Sequence, residues 1–203
     1  SLDRKLTIMK DFLIQQDFFA KDGTRTILGN IASRIHHVPC LAISKKMNEI
    51  AKLNLEDLVS FLGCFIPVHI ADKDQNISCP SNCSFENLIR DIDNLYNDYY
   101  SFEMKEGIFS GENYLIQYHF CNLLKEWVNV ETDGQAILFL NQMKKEKGIF
   151  LGEFVKYIMN INNLSKELEN VAEYLGNMEF LSKLQQIPEK TIKFIVTNQS
   201  LYV

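Results

Sequence analysis

The feature that most constrains the fold is a stripe of apolar residues at helical spacing across residues 151–175. Apolar side chains recur three or four positions apart, at Leu151, Phe154, Val155, Ile158, Ile161, Leu164, Leu168, Val171 and Leu175. This repeat places all of them on one face of an α-helix. Gly176-Asn177 then supplies a left-handed stop. The pattern predicts one long amphipathic helix, which must bury that face against other elements.

The composition fits a packed domain. The chain has 203 residues, of which 46% are hydrophobic and 23% charged. These values favour one compact domain, or at most two small ones, and exclude a disordered chain. No apolar run reaches the roughly 20 residues that cross a bilayer, so we expect no membrane partner. The chain begins with Ser and shows no signal peptide. We therefore expect an intracellular fragment of a longer protein, with nothing to separate nucleus from cytoplasm.

The rest of the chain predicts an all-α fold, a helical bundle with one small β-hairpin near the N-terminus. Asp22-Gly23 lies between short apolar flanks, Phe18-Phe19 and Thr26-Ile27, and is a hairpin signal. Asn30 can cap a helix that runs to about Ile35. Further helices are predicted at 2–16, 41–51, 55–65 (capped by Asn54), 85–102 and 112–127, then a short helix to Leu184 and a final one restarted by Pro188.

We expect a single domain, residues 1–203, with three parts along the chain. Residues 1–70 form an entry subdomain that contains the hairpin. Residues 71–84 are polar, contain Pro80, and form a loop. Residues 85–203 form the helical bundle that contains the helix at 151–175.

Charge divides unevenly along the chain. Residues 71–133 carry four Lys or Arg against twelve acidic residues, whereas the flanking thirds are slightly positive. The sequence pI near 5.4 excludes a nucleic-acid binder that works by its own overall field. Any contact with nucleic acid is expected in the first or last third.

The five cysteines do not form a disulfide framework, because their number is odd and their spacing irregular. Cys79 and Cys83 have the spacing of half a zinc site. The four histidines do not supply the second half. We interpret these cysteines as reduced thiols and predict no metal.

The sequence contains no catalytic motif. A phosphate-binding loop, a dinucleotide fingerprint, a nucleophile elbow and a His-Glu-x-x-His helix are all missing. Asp91 and Asp93 stand two apart, so on a helix they point in different directions. We assign no catalytic residue. The single Trp127 has apolar neighbours and is interpreted as core.

Polar residues line the other face of the predicted helix at 151–175. They follow one another at spacings of three and four: Glu153, Lys156, Asn160, Asn163 and Glu167. A lysine can meet a phosphate, and an asparagine can bond a base edge or a ribose. From the spacing alone, a solvated helix face is the simpler interpretation.

Several segments resemble the C-terminal (DSHCT) domain of superkiller-type and exosome-associated DExH-box RNA helicases. The similar stretches, in chain order, are 19–35, Leu62-Gly63-Cys64-Phe65, Lys125-Glu126-Trp127, Gly152 to Lys156, Val171 to Asn177 and Ser200-Leu201-Tyr202-Val203. The resemblance covers nearly the whole chain, and residues 71–84 match least.

The resemblance implies the C-terminal domain of an ATP-dependent 3′–5′ RNA helicase that forms part of the RNA channel. The helix at 151–175 would be the ratchet helix, so its five polar residues are the predicted RNA-binding residues. Relatives carry Arg where Asn160 stands and an acid where Asn163 stands, so we expect a weaker or rearranged grip on RNA.

The same resemblance implies partners and cofactors. The partners are the RecA-like core of the same chain, single-stranded RNA, and the exosome or its adaptors. ATP and Mg²⁺ would bind the parent helicase, an ATPase, and no cofactor is expected in this fragment. An alternative remains open, in which the domain is a non-catalytic protein-interaction module that uses its acidic middle third.

Overall fold

The computed structural model describes residues 1–69, 78–80 and 83–194. Predicted features at 70–77 and 81–82, and the ending Ser200 to Val203, lie outside the described residues. Ten α-helices account for most of the described chain: α1 (Leu2–Gln15), α2 (Ile27–Ala32), α3 (Cys40–Lys45), α4 (Met47–Ala51), α5 (Leu55–Gly63), α6 (Glu86–Glu106), α7 (Cys121–Val128), α8 (Asp133–Lys147), α9 (Leu151–Leu175) and α10 (Met178–Thr191).

The chain forms two compact units. Unit 1 combines Ser1–Lys52 with Asn87–Tyr114, and unit 2 combines Leu53–Glu86 with Leu115–Val203. The all-α prediction is confirmed within the described residues, where no sheet forms. The expected subdivision at 70 and 85 stays a prediction.

The predicted β-hairpin is wrong. Its segment makes a single antiparallel bridge, between Phe19 and Arg25. The reason is that Thr26 already caps α2, its Oγ1 accepting the N–H of Gly29 at 3.1 Å. The chain therefore turns into a helix before a second pair of strand residues can form. Gly29 is required here because a Cβ would overlap the carbonyl oxygen of Phe18.

Two predicted helix boundaries in unit 1 also shift. The helix expected to start after Asn30 begins at Ile27, which leaves Asn30 inside α2. The helix expected over 41–51 is two short helices, α3 and α4, separated at Lys46 with φ −107°. The core of this unit includes Phe18, Ile50 and Tyr96, each at most 1% exposed.

Unit 2 is built around α9. The predicted helix and its left-handed Gly176 cap, φ 68°, are confirmed. Seven of the nine stripe residues are buried, while Leu151 is half-buried and Leu175 exposed. The Trp127 ring packs against Phe139 and Phe154 with centroids 5.2 and 5.3 Å away. Helices α5 and α10 also pack on α9.

The predicted helix over 112–127 is wrong in its first half, since only 121–128 is helical. Residues 115–118 run beside the chain that follows α5. The Gln117 N–H donates to the Cys64 carbonyl at 2.8 Å, and its side chain bonds both backbone groups of Val68. These tertiary hydrogen bonds replace the helical ones.

The predicted break at Pro188 is wrong as well. Helix α10 runs continuously from Met178 to Thr191 with Pro188 inside it. A proline lacks the N–H that would bond the carbonyl four residues earlier. That carbonyl, on Leu184, accepts the Ser165 hydroxyl of α9 at 3.5 Å instead. A neighbouring helix thus compensates for the missing donor.

Three helices of unit 2 meet at Gly63. A Cβ at this position would overlap the Leu124 side chain of α7 and the Tyr157 hydroxyl of α9. The Tyr157 hydroxyl donates to the Gly63 carbonyl at 2.6 Å and satisfies a C-terminal carbonyl of α5. Glycine is therefore needed for the close approach, although its backbone is ordinary helix.

We expect Gly63→Ala to lower the free energy of unfolding by about 2–3 kcal/mol, because the methyl group forces two packed helices apart. Gly152→Ala is the matched control, since a Cβ there meets nothing within 4 Å. It should leave stability unchanged or raise it by up to about 1 kcal/mol. Urea denaturation checks both variants, and equal stabilities would contradict the role given to Gly63.

Candidate nucleic-acid interface

The five predicted RNA-binding residues share the solvent face of α9. Glu153, Lys156, Asn160 and Asn163 are exposed, and Glu167 is half-buried. The helix holds them in line because the opposite face is fixed in the core of unit 2. The structure therefore brings the five onto one surface. Their contact with RNA stays a prediction.

Two other polar residues of α9 have a structural role that the sequence did not reveal. Asn162 is buried, and its Nδ2 donates to the Ile158 carbonyl at 2.8 Å and to the Thr191 hydroxyl at 3.0 Å. Ser165 is also buried, against Leu184. These bonds tie α9 to α10. Of two neighbouring asparagines, Asn162 thus faces the core and Asn163 faces solvent.

A basic, aromatic cluster at the end of α8 was missed from the sequence. Lys144 and Lys145 are exposed. Phe150, the residue before α9, is 57% exposed, and the Lys144 Nζ lies 5.4 Å from the centroid of its ring. Exposed aromatic rings beside cations are typical of single-strand nucleic-acid surfaces. The run Lys144-Lys145-Glu146-Lys147 was the available signal.

Trp127 does not offer a stacking platform, which agrees with its interpretation as core. Its side chain is 0% exposed, and its Nε1–H donates to the Thr191 carbonyl at 2.9 Å. The indole is therefore satisfied internally. This hydrogen bond connects α7 to the end of α10.

An ion pair links the start of α5 to α7. Asp57 is only 9% exposed and lies 3.0 Å from the Lys125 Nζ. It also accepts the Ser84 hydroxyl. Partial burial acts to lower the pKa of Lys125, but the hydrogen bond and the negative charge of Asp57 outweigh it, so the pKa is raised. Lys125 is thus engaged within the fold.

The five cysteine thiols are free, and four of them form two pairs, Cys64 with Cys121 and Cys79 with Cys83. The Sγ atoms of Cys64 and Cys121 lie 3.3 Å apart in the core of unit 2. The hydrogen bond from Cys64 lowers the pKa of Cys121. Burial, and then a hydrogen bond with Cys83, raise the pKa of Cys79 to about 12. Within 1–69, 78–80 and 83–194, no group of three or more His, Cys, Asp or Glu is arranged to hold a metal.

Fold and surface together define a helical domain whose longest helix presents a polar face to solvent. In the part of the chain that the structure describes, no helix combines the length and apolarity needed to cross a bilayer. The sequence pattern of the DSHCT (NUC185) domain matches residues 22–199. The chain therefore belongs to the DSHCT family, the C-terminal domain of superkiller-type helicases. No curated protein matches the chain in a sequence comparison.

We expect substitutions at two adjacent residues of α9 to change the stability of the domain by very different amounts. Tyr157→Phe removes a buried hydrogen bond and should lower the free energy of unfolding by about 1–2 kcal/mol. Lys156→Ala changes only the exposed face and should shift it by less than about 0.5 kcal/mol. Urea titrations of both variants check this, and a large loss for Lys156→Ala would show that the polar face supports the fold.

Proposed function

We propose that this domain forms part of the RNA channel of an ATP-dependent 3′–5′ RNA helicase and guides single-stranded RNA during unwinding. The observation that carries the proposal is the solvent face of α9, a line of polar residues on a helix whose other face is buried. Membership of the DSHCT family supports the helicase context. Rigid placement suits a surface past which a strand must slide.

The side chains on this face favour weak binding to RNA. Lys156 offers one phosphate contact, and Asn160 and Asn163 can bond ribose or base edges. Glu153 and Glu167 leave the face slightly negative. A surface of this kind does not capture RNA alone. The positive field would come from the RecA-like lobes, where ATP and Mg²⁺ would also bind.

The end of α8 extends the proposed path. Phe150 stands at the start of α9 with its ring exposed, so a base can stack on it. Lys144 and Lys145 lie shortly before Phe150 in the sequence. Their ammonium groups would contact the phosphates on either side of the stacked base. The exosome, or an adaptor of it, would receive the RNA.

We expect Lys156→Ala combined with Asn160→Ala to slow unwinding by the complete helicase about ten-fold, the effect of losing roughly one hydrogen bond to a charged group. Strand-displacement kinetics at saturating ATP measure it. Asn48→Ala with Lys52→Ala is the control, because it removes the same two residue types at the same spacing from two exposed positions, one in α4 and one directly after it. Equal rates for both double variants would contradict the role of α9.

A second experiment tests the end of α8 in the complete helicase. Lys144→Ala with Lys145→Ala should reduce the slope of log affinity against log salt by about 1.4, the value for two contacts to single-stranded phosphates. Phe150→Ala should weaken binding about ten-fold at any salt concentration. Fluorescence anisotropy with a labelled oligonucleotide measures both. Lys5→Ala with Lys10→Ala, on exposed α1 positions, is the charge-matched control, and an equal slope change there would exclude a local contact.

A further inference from the structure

Unit 1 contains a pocket that the proposed RNA path does not use. It has a volume of about 200 Å³ and lies among α1, the start of α3, the end of α6 and residues 110–114. Its walls are largely apolar and include Phe12, Leu41 and Phe102. The rings of Phe12 and Phe102 stack with centroids 3.9 Å apart. Apolar side chains therefore form most of the pocket wall, and two of them are stacked aromatic rings.

One polar group of the lining is left without a partner. Tyr99 lines the pocket and is 4% exposed. Its hydroxyl makes no hydrogen bond to any described residue. Buried hydroxyl groups in native proteins are nearly always bonded, and each exception calls for an explanation. The hydroxyl itself is covered by the surrounding side chains, so a ligand in the pocket reaches it only when a neighbouring side chain moves aside.

The pocket is also acidic. Glu103 and Glu112 line it, and no Lys, Arg or His is among the described residues that do. Partial burial, and then the Glu103 carboxylate, raise the pKa of Glu112. Burial, and then Glu112, raise the pKa of the Cys40 thiol beside them. The two carboxylates disfavour further negative charge, and they would stabilise a cation that pairs with them directly.

The volume and the charge of the pocket indicate the kind of ligand that it can bind. The volume is below the roughly 300–1,000 Å³ of a typical small-molecule site and suits one or two side chains. An arginine can lay its aliphatic stem on an apolar wall while its planar head bonds carboxylates. We propose that this pocket binds a segment of a protein partner in which an Arg or Lys side chain stands beside an apolar one. The proposal is independent of the RNA role, because every lining residue belongs to unit 1.

The test uses the ¹⁵N-labelled 203-residue chain and two blocked peptides. One peptide has the sequence Leu-Arg-Leu, and in the other citrulline, which keeps the shape of Arg without its charge, replaces the arginine. We expect the arginine peptide to shift amide resonances around Tyr99, Glu103 and Glu112, with a dissociation constant on the order of 1 mM, as suits a short flexible ligand. The citrulline peptide should bind at least about ten-fold more weakly.

Two variants of the pocket, each with a matched control, separate binding from folding. Glu103→Gln with Glu112→Gln should weaken the arginine peptide about ten-fold, whereas Glu173→Gln with Glu179→Gln, on exposed sites of α9 and α10, should not. Tyr99→Phe should weaken binding about three-fold without lowering the melting temperature, because the hydroxyl has no partner to lose. Tyr100→Phe, at the exposed neighbouring position, should do neither.

Several results would overturn the proposal. These are equal binding of the two peptides, resonance shifts confined to residues away from the pocket, and no shift at 10-fold the expected dissociation constant. Concentration-dependent shifts of the same resonances in the peptide-free chain would assign the pocket to a second copy of the chain. That outcome would also exclude a partner peptide.

Discussion

The close approach of three helices at Gly63 is the constraint on which the structure of unit 2 depends. No side chain separates α5 from Leu124 and Tyr157, so the end of α5 lies directly against α7 and α9. The Tyr157 hydroxyl then bonds the Gly63 carbonyl, which has no partner within its own helix. Steric fit and hydrogen bonding thus fix the same point. Because α9 is held at Tyr157, Phe154 lies one turn closer to the N-terminus of α9 and packs against the Trp127 ring.

Polar bonds on the opposite side of α9 complete its attachment. Asn162 bonds Thr191, and Ser165 bonds the carbonyl that Pro188 leaves without a donor. Helix α9 is therefore held by apolar packing and by side-chain hydrogen bonds to α10. On its solvent face, Glu153, Lys156, Asn160 and Asn163 remain exposed. Substitutions on that face can therefore change the proposed contact with RNA without changing the scaffold.

Charge is distributed to suit more than one partner. The acidic excess of residues 71–133 includes Glu103 and Glu112 at the pocket of unit 1, where a cationic segment would bind. The face of α9 is slightly negative, and the end of α8 is basic. An overall charge of −5 therefore describes no single surface. These separate surfaces match the two proposed roles, which are guiding RNA in a larger enzyme and binding a protein partner.

The sequence by itself determined α9, its cap and its polar face, because a strict repeat and a glycine stop are local signals. It also determined α5, where Asn54 caps the first turn as expected. It did not reveal α8, in which exposed Ile137 and Leu138 blur the apolar stripe. The hairpin reduces to one bridge for a local reason, since Thr26 caps α2. Only the tertiary structure decided that residues 115–118 stay outside a helix and that α10 continues through Pro188. In each case a neighbouring segment supplies or takes hydrogen bonds, and the pocket at Tyr99 likewise joins residues distant in the chain. Local patterns cannot encode such partners, since the partner is fixed only when the chain has folded.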